Sequence, residues 1–129
     1  MNIDVFDSIS ITEGPTLFFG RSLYWVGGTA SWNETPGTKW SLTSGGTGGE
    51  AIPTDQDNVY INAASGTVVI SVSIYSVART LDCTGFTGTL SGSSNFNVHG
   101  SLYYATGMTV SYTGEITMAA TTIGHIFNT

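Results

Sequence analysis

Short strand-like stretches, some with apolar and polar residues in alternation, recur along this chain of 129 residues and are bounded by glycine or asparagine. Alternation with a period of two is typical of β-strands that place one face against a core and the other in solvent. No long stretch keeps apolar residues at the spacing of an amphipathic helix. The pattern therefore predicts an all-β protein built from short strands and turns.

Residues 1–19 predict a first amphipathic strand, which we call the N-terminal arm. Four aliphatic side chains fall on one parity, at Ile3, Val5, Ile9 and Ile11. The turn sequence Glu13-Gly14-Pro15 comes next. An amphipathic strand needs a sheet edge to pair with. Two interpretations are open: the strand pairs within its own domain, or it adds to a neighbouring subunit as an assembly element.

Residues 20–57 contain all three tryptophans and predict a small glycine-rich β region that caps the C-terminal half of the chain. Tryptophan carries a large apolar area, so a small domain normally buries it in the core. The alternative is an exposed aromatic platform that stacks on sugar rings, as in a carbohydrate-binding or adhesin module. The residues of that platform are Tyr24, Trp25, Trp32 and Trp40.

Residues 58–129 contain an internal match that predicts stacked coils of a β-solenoid, or β-helix. The segment from Phe86 to Gly92 resembles the segment from Tyr112 to Met118, 26 residues later. A repeat of this length made of short strands is typical of solenoids. A 26-residue coil places Phe86 beside Tyr112 and Leu90 beside Ile116. The whole chain is expected to form one structural domain.

The predicted coils leave an end to be covered. A stack of so few repeats is at the lower limit of stability, and an open end exposes unpaired backbone groups and apolar side chains. The region 20–57 is expected to cap one end, and another subunit the other. The chain is therefore expected to self-associate, with a homotrimer as the favoured arrangement.

Composition excludes several classes of partner. Only 9% of the residues are charged, against roughly 25% in an ordinary soluble domain. Three Lys and Arg residues and a net charge of −6 cannot neutralise a run of phosphates, which argues against nucleic acid and against an anionic membrane surface. The single cysteine cannot form an intramolecular disulfide.

Candidate chemistry is sparse, and the sequence predicts neither an enzyme nor a cofactor. The 26-residue repeat does not bring the acids Asp82 and Glu115 together as a glycosidase pair. Asp55 and Asp57 lie in a segment of alternating hard oxygen ligands, which makes them weak calcium candidates. In the other interpretation, these carboxylates bond backbone N–H groups in a turn.

The first residues, MNIDVFDSIS, lack the basic flank and the apolar stretch of a signal peptide. Low charge and a high Thr, Ser and Gly content are nevertheless usual in proteins that work outside cells. Two origins fit both observations: a protein released within a virus particle when the host lyses, or a fragment of a larger secreted protein. The virion is the expected location.

Several motifs occur together in a fixed order. They are Tyr24-Trp25-Val26-Gly27-Gly28, Trp32, Trp40-Ser41, the glycines of 45–49, Ile52-Pro53-Thr54, Asp57-Asn58-Val59-Tyr60, the segment 86–92 and Ser101-Leu102. The set resembles a module of β-rich surface and appendage proteins of tailed bacteriophages, and of repeat-bearing bacterial surface proteins. The resemblance covers residues 22–129 and implies a structural or adhesive virion part, with no active-site residue. Since few coils come after the module here, it implies a short decoration protein rather than a long fibre.

Overall fold

A computed structural model describes residues 20–121 and 124–128 of the chain. The regular elements of this part are short strands and one 3-10 helix at Ala63–Ser65, joined by turns and loops. In chain order the strands are β1 (Ser22–Trp25), β2 (Ala30–Ser31), β3 (Trp40–Ser41), β4 (Asn58–Tyr60), β5 (Val69–Val72), β6 (Ser76–Ala78), β7 (Thr80–Asp82), β8 (Thr89–Gly92), β9 (Phe96–Val98), β10 (Leu102–Tyr103), β11 (Thr109–Val110), β12 (Ile116–Met118) and β13 (Phe127–Asn128). The predicted all-β class is confirmed.

The strands form three sheets, which we call A, B and C. Sheet A has the spatial order β13-β10-β7-β4-β1-β3, sheet B the order β11-β8-β5-β2, and sheet C the order β12-β9-β6. The paired strands are parallel throughout, except that β3 lies antiparallel to β1. Parallel neighbours cannot be joined by a tight turn, so the chain must travel through other sheets before it returns.

The chain passes through sheets A, B and C in the same order three times: β4-β5-β6, β7-β8-β9 and β10-β11-β12. We call each such set a level and number these three levels two, three and four. Strands β1 and β2 form level one, and β13 lies in sheet A at level five. Within the described residues, level one lacks a strand in sheet C, and level five lacks strands in sheets B and C.

The register shows that the predicted 26-residue repeat is wrong. In sheet B, Ile70 pairs with Leu90 and Leu90 with Val110, which is a step of 20 residues. Phe96 pairs with Ile116 in sheet C at the same step. The 26-residue match therefore aligns a strand of sheet B with a strand of sheet C one level later. Strands of both sheets alternate inward and outward residues. An inward residue of sheet B, such as Leu90, comes six residues before the inward residue Phe96 of sheet C. This offset of six and the 20-residue step to the next level add up to 26.

Inward side chains lie in register from level to level, in columns that together form the apolar core. In sheet A, Leu23, Val59, Leu81 and Leu102 pair in register, and all four are buried. The outward positions carry small polar side chains that bond between levels. The hydroxyls of Ser71 and Ser91 lie 3.0 Å apart, for example. The backbone groups and the outward polar side chains of each level thus form hydrogen bonds with the next level.

The N-terminal arm, in which a strand is expected, precedes residue 20. Its residues Ile3, Val5, Ile9 and Ile11 therefore lie outside the described residues. Across the parts of the chain that are described, no helix has the length and apolar character needed to span a bilayer.

The register predicts which aliphatic residues stabilise the fold. We expect Leu81→Ala to lower the free energy of unfolding by about 2–5 kcal/mol, because it leaves a cavity between two levels. Val69→Ala, in the adjacent sheet but 41% exposed, is the matched control and should cost below about 1 kcal/mol. Urea unfolding followed by circular dichroism measures both. Equal losses in the two variants would contradict the assigned core.

Candidate assembly surface

The two ends of the stack of levels differ. At the N-terminal end, three tryptophan side chains pack over the core. Trp25, Trp32 and Trp40 are all buried. The Trp32 ring lies 4.7 Å from that of Trp40 and 5.0 Å from that of Phe96, in edge-to-face contacts. The indole N–H of Trp25 donates to the Gly28 carbonyl at 2.9 Å, and that of Trp40 donates to the Trp32 carbonyl at 3.3 Å. These rings cover the core at level one.

This burial corrects the aromatic-platform interpretation. A platform for sugar stacking must present ring faces to solvent, and none of the three tryptophans does so. Tyr24 is only half-buried, but its ring stacks on that of Tyr60, with centroids 5.0 Å apart. The expectation that the tryptophans pack in the core is confirmed.

A buried ion pair ties the start of β1 to the segment before β4. The Asp57 carboxylate is fully buried and accepts hydrogen bonds from the Arg21 guanidinium and backbone N–H, both at 2.7 Å. It also accepts from the backbone N–H of Thr54 at 2.8 Å. Burial opposes ionisation of this group, but the bonds from Arg21 and Thr54 outweigh it and hold the pKa of Asp57 below its usual range.

The ion pair also corrects the calcium interpretation at Asp57. Both carboxylate oxygens are engaged by Arg21, so a guanidinium stands where a cation would have to bind. Asp55 is exposed, and Gln56 is its hydrogen-bond partner. Within residues 20–121 and 124–128, no cluster of three or more His, Cys, Asp or Glu side chains could hold a metal ion. The alternative expectation, carboxylate bonds to backbone N–H groups in a turn, fits Asp57.

The C-terminal end leaves its core open to solvent. Phe127 continues the buried sheet A column after Leu102, yet it is 60% exposed. Val110 follows Leu90 in sheet B and is 43% exposed, and Met118 follows Val98 in sheet C and is 38% exposed. All three sheets therefore present a core position at the same end. We call Val110, Met118, Ile126 and Phe127 the open end.

Charge separates the two ends further. Arg21, Glu50 and Asp57 interact near level one. After Asp82, the sequence contains one residue of the Asp, Glu, Lys and Arg types, Glu115. A nearly uncharged end with exposed core positions is suited to bury its surface against another protein segment.

The Cys83 thiol and the Tyr104 hydroxyl are suited to structure rather than to catalysis. Burial, and to a smaller extent the charge of Asp82, raises the pKa of the Cys83 thiol to about 12. A thiol with that pKa is protonated at neutral pH and a poor nucleophile. Burial likewise raises the pKa of Tyr104 to about 12. Asp82 lies in sheet A, whereas Glu115 precedes the sheet C strand β12, so different sheets position these two acids.

The sequence did not single out the four residues of the open end. For Val110 and Met118 the signal is present in the sequence, but it requires the correct period. Val110 repeats Ile70 and Leu90 at 20-residue steps, and Met118 repeats Ala78 and Val98 in the same way. The 26-residue alignment hides this agreement.

No family model, curated protein or solved structure matches this chain.

The ion pair predicts a stability change that depends on pH. We expect Asp57→Asn to cost about 2–4 kcal/mol at pH 7, because it leaves the Arg21 guanidinium without its buried partner. Glu50→Gln, which removes a more exposed partner of the same arginine, should cost less than about 1 kcal/mol. Denaturant unfolding at several pH values measures these differences.

The direction with pH follows from the lowered pKa of Asp57. A carboxyl group with a lower pKa in the folded protein stabilises it above the unfolded value of about 4, and this contribution is lost as the pH falls further. The wild type should therefore lose more stability than Asp57→Asn between pH 5 and about pH 2. Parallel pH curves for the two proteins would contradict the assignment.

Proposed function

We propose that this chain is a non-enzymatic structural protein of a phage particle, such as a decoration or appendage protein, and that it assembles through its open end. Its three sheets would be the sides of a short β-solenoid, with each level forming one coil. The repeated passage through sheets A, B and C and the 20-residue steps between paired strands support this architecture.

One observation carries the assembly proposal. The core column of every sheet emerges at the same end, at Phe127, Val110 and Met118, whereas tryptophan covers the opposite end. Apolar positions that are buried at successive levels and exposed at the next are suited to be covered by a further layer of protein. Exposed edges of parallel strands beside them offer backbone groups to the same layer.

The magnitudes indicate what that layer must supply. Burying a large apolar side chain completely gains about 1.5–3 kcal/mol, and the three residues are already about half-buried. Their remaining burial is thus worth about 3 kcal/mol in total. Association costs on the order of 4–15 kcal/mol in lost freedom. Side-chain packing alone does not offset this cost, so backbone pairing with the edge strands, or several contacts acting together, must contribute.

The placement in a phage particle is supported by composition and by the sequence resemblance. Few charges and many Thr, Ser and Gly residues suit a protein that remains folded outside the host cell. The order of the motifs from Tyr24 to Leu102 is similar to that in phage surface and appendage proteins.

Charging the open end should abolish self-association. We expect the wild type to be oligomeric at micromolar concentration, and Phe127→Asp to be a folded single chain, because the exposed core position becomes charged. Leu42→Asp is the matched control, since Leu42 is 55% exposed but lies beside β3 at the other end. Analytical ultracentrifugation measures all three masses.

Two results would overturn the assembly proposal. One is a wild type that sediments as a single chain at every concentration tested. The other is loss of association in Leu42→Asp while Phe127→Asp remains oligomeric.

The phage placement has a separate test. Density-gradient purification of phage particles from a lysed host, followed by mass spectrometry, should recover this chain in the particle fraction at a fixed ratio to the major capsid protein. Recovery in the soluble fraction alone would contradict this placement and leave the assembly proposal standing.

A further inference from the structure

We infer that residues 1–12 of a second copy of this chain complete the open end, adding one strand to β11 and another to β12. The inference rests on the proposed function and names the partner of the same surface. It identifies that partner as the N-terminal arm of a neighbouring copy rather than the neighbour's own open end.

The inward positions of sheets B and C follow one spacing at successive levels. After the first inward residue, the others come two, six and eight residues later. At level two these positions are Ile70, Val72, Ser76 and Ala78, and all are buried. At level four they are Val110, Tyr112, Ile116 and Met118.

The arm repeats this spacing. Its apolar residues are Ile3, followed two, six and eight residues later by Val5, Ile9 and Ile11. The intervening positions from Asp4 to Ser10 are polar except for Phe6. An arm with this pattern matches one sheet B strand followed by one sheet C strand, with a bend between them. In register with level four, Ile3 would lie over Val110 and Ile11 over Met118.

The open end offers a place for these two strands. At level five, β13 occupies sheet A, and sheets B and C have no strand within the described residues. Strands β11 and β12 consequently have one described neighbour each, β8 and β9. An arm from a second copy would fill sheets B and C at the level where β13 already fills sheet A.

The chain's own N-terminal end offers the arm much less. Strand β3 already occupies the outer side of β1. The inward residues of β6, Ser76 and Ala78, are already buried, and Trp32 is buried nearby against Phe96. An arm placed there would cover little additional apolar surface. At the open end, the same arm covers Val110 and Met118, which are about 40% exposed.

An arm that binds a different surface of its neighbour creates a heterologous contact. Such contacts close into rings or continue as filaments, depending on the rotation between copies. A three-membered ring would agree with the homotrimer expected from the sequence.

Complementation between two full-length variants tests the inference. Ile9→Asp with Ile11→Asp gives a copy with a defective arm and an intact open end. Val110→Asp with Met118→Asp gives a copy with an intact arm and a defective open end. We expect each variant alone to be a single chain, and an equimolar mixture to form a 1:1 complex of twice that mass. Ultracentrifugation with one variant fluorescently labelled measures the complex directly.

Matched controls place the same charges on the opposite parity. Ser8→Asp with Ser10→Asp charges the arm on its polar side. Thr109→Asp with Thr117→Asp places two charges beside the open end, at exposed, outward positions of β11 and β12. Both control proteins should assemble as the wild type does, and circular dichroism should show that all four variants fold.

The outcomes separate the two proposals. If the Ile9 and Ile11 variant still assembles, or if the two defective variants do not combine, the arm is not the partner, although the open end can still be the assembly surface. If that variant unfolds while the Ser8 and Ser10 control folds, the arm belongs to its own core and the inference is wrong. A wild type that is a single chain at all concentrations overturns both proposals.

Discussion

Parallel pairing between levels is the constraint on which the rest of this structure depends. Each strand is only two to four residues long, so hydrogen bonds to a neighbouring strand on one side alone stabilise it little. Its backbone groups are fully hydrogen-bonded, and its inward side chain is buried, only when it has a neighbouring level on both sides. Leu81, between Val59 and Leu102, is an example. Stability is therefore shared between neighbouring levels, and the two ends become the critical places.

The two ends of the stack of levels differ in how their core positions are covered. At level one, an antiparallel strand and three tryptophans interrupt the parallel pattern, and the Arg21–Asp57 ion pair fixes the segment that leads back to β4. At level five, the parallel pattern continues through β13 with its core position exposed. The proposed function and the proposed partner both depend on this difference, because an end that preserves the pairing geometry can accept another strand.

The sequence predicted the strand-rich fold and the burial of the tryptophans correctly, since both depend on local alternation and on side-chain size. Its predicted repeat length was wrong because short segments such as Thr89–Gly92 and Ile116–Met118 have the same local pattern in different sheets. It also suggested a calcium role for Asp57, because the identity of a carboxylate does not reveal that Arg21, 36 residues away, will bond to it.

Local patterning thus determined by itself that the chain forms short strands with one apolar face. Only the tertiary structure decided which strands pair, that one level takes about 20 residues, and that Val110, Met118 and Phe127 are core positions at an open end. The physical reason is that alternation fixes the face of a side chain, whereas register and exposure depend on contacts between residues far apart in the chain.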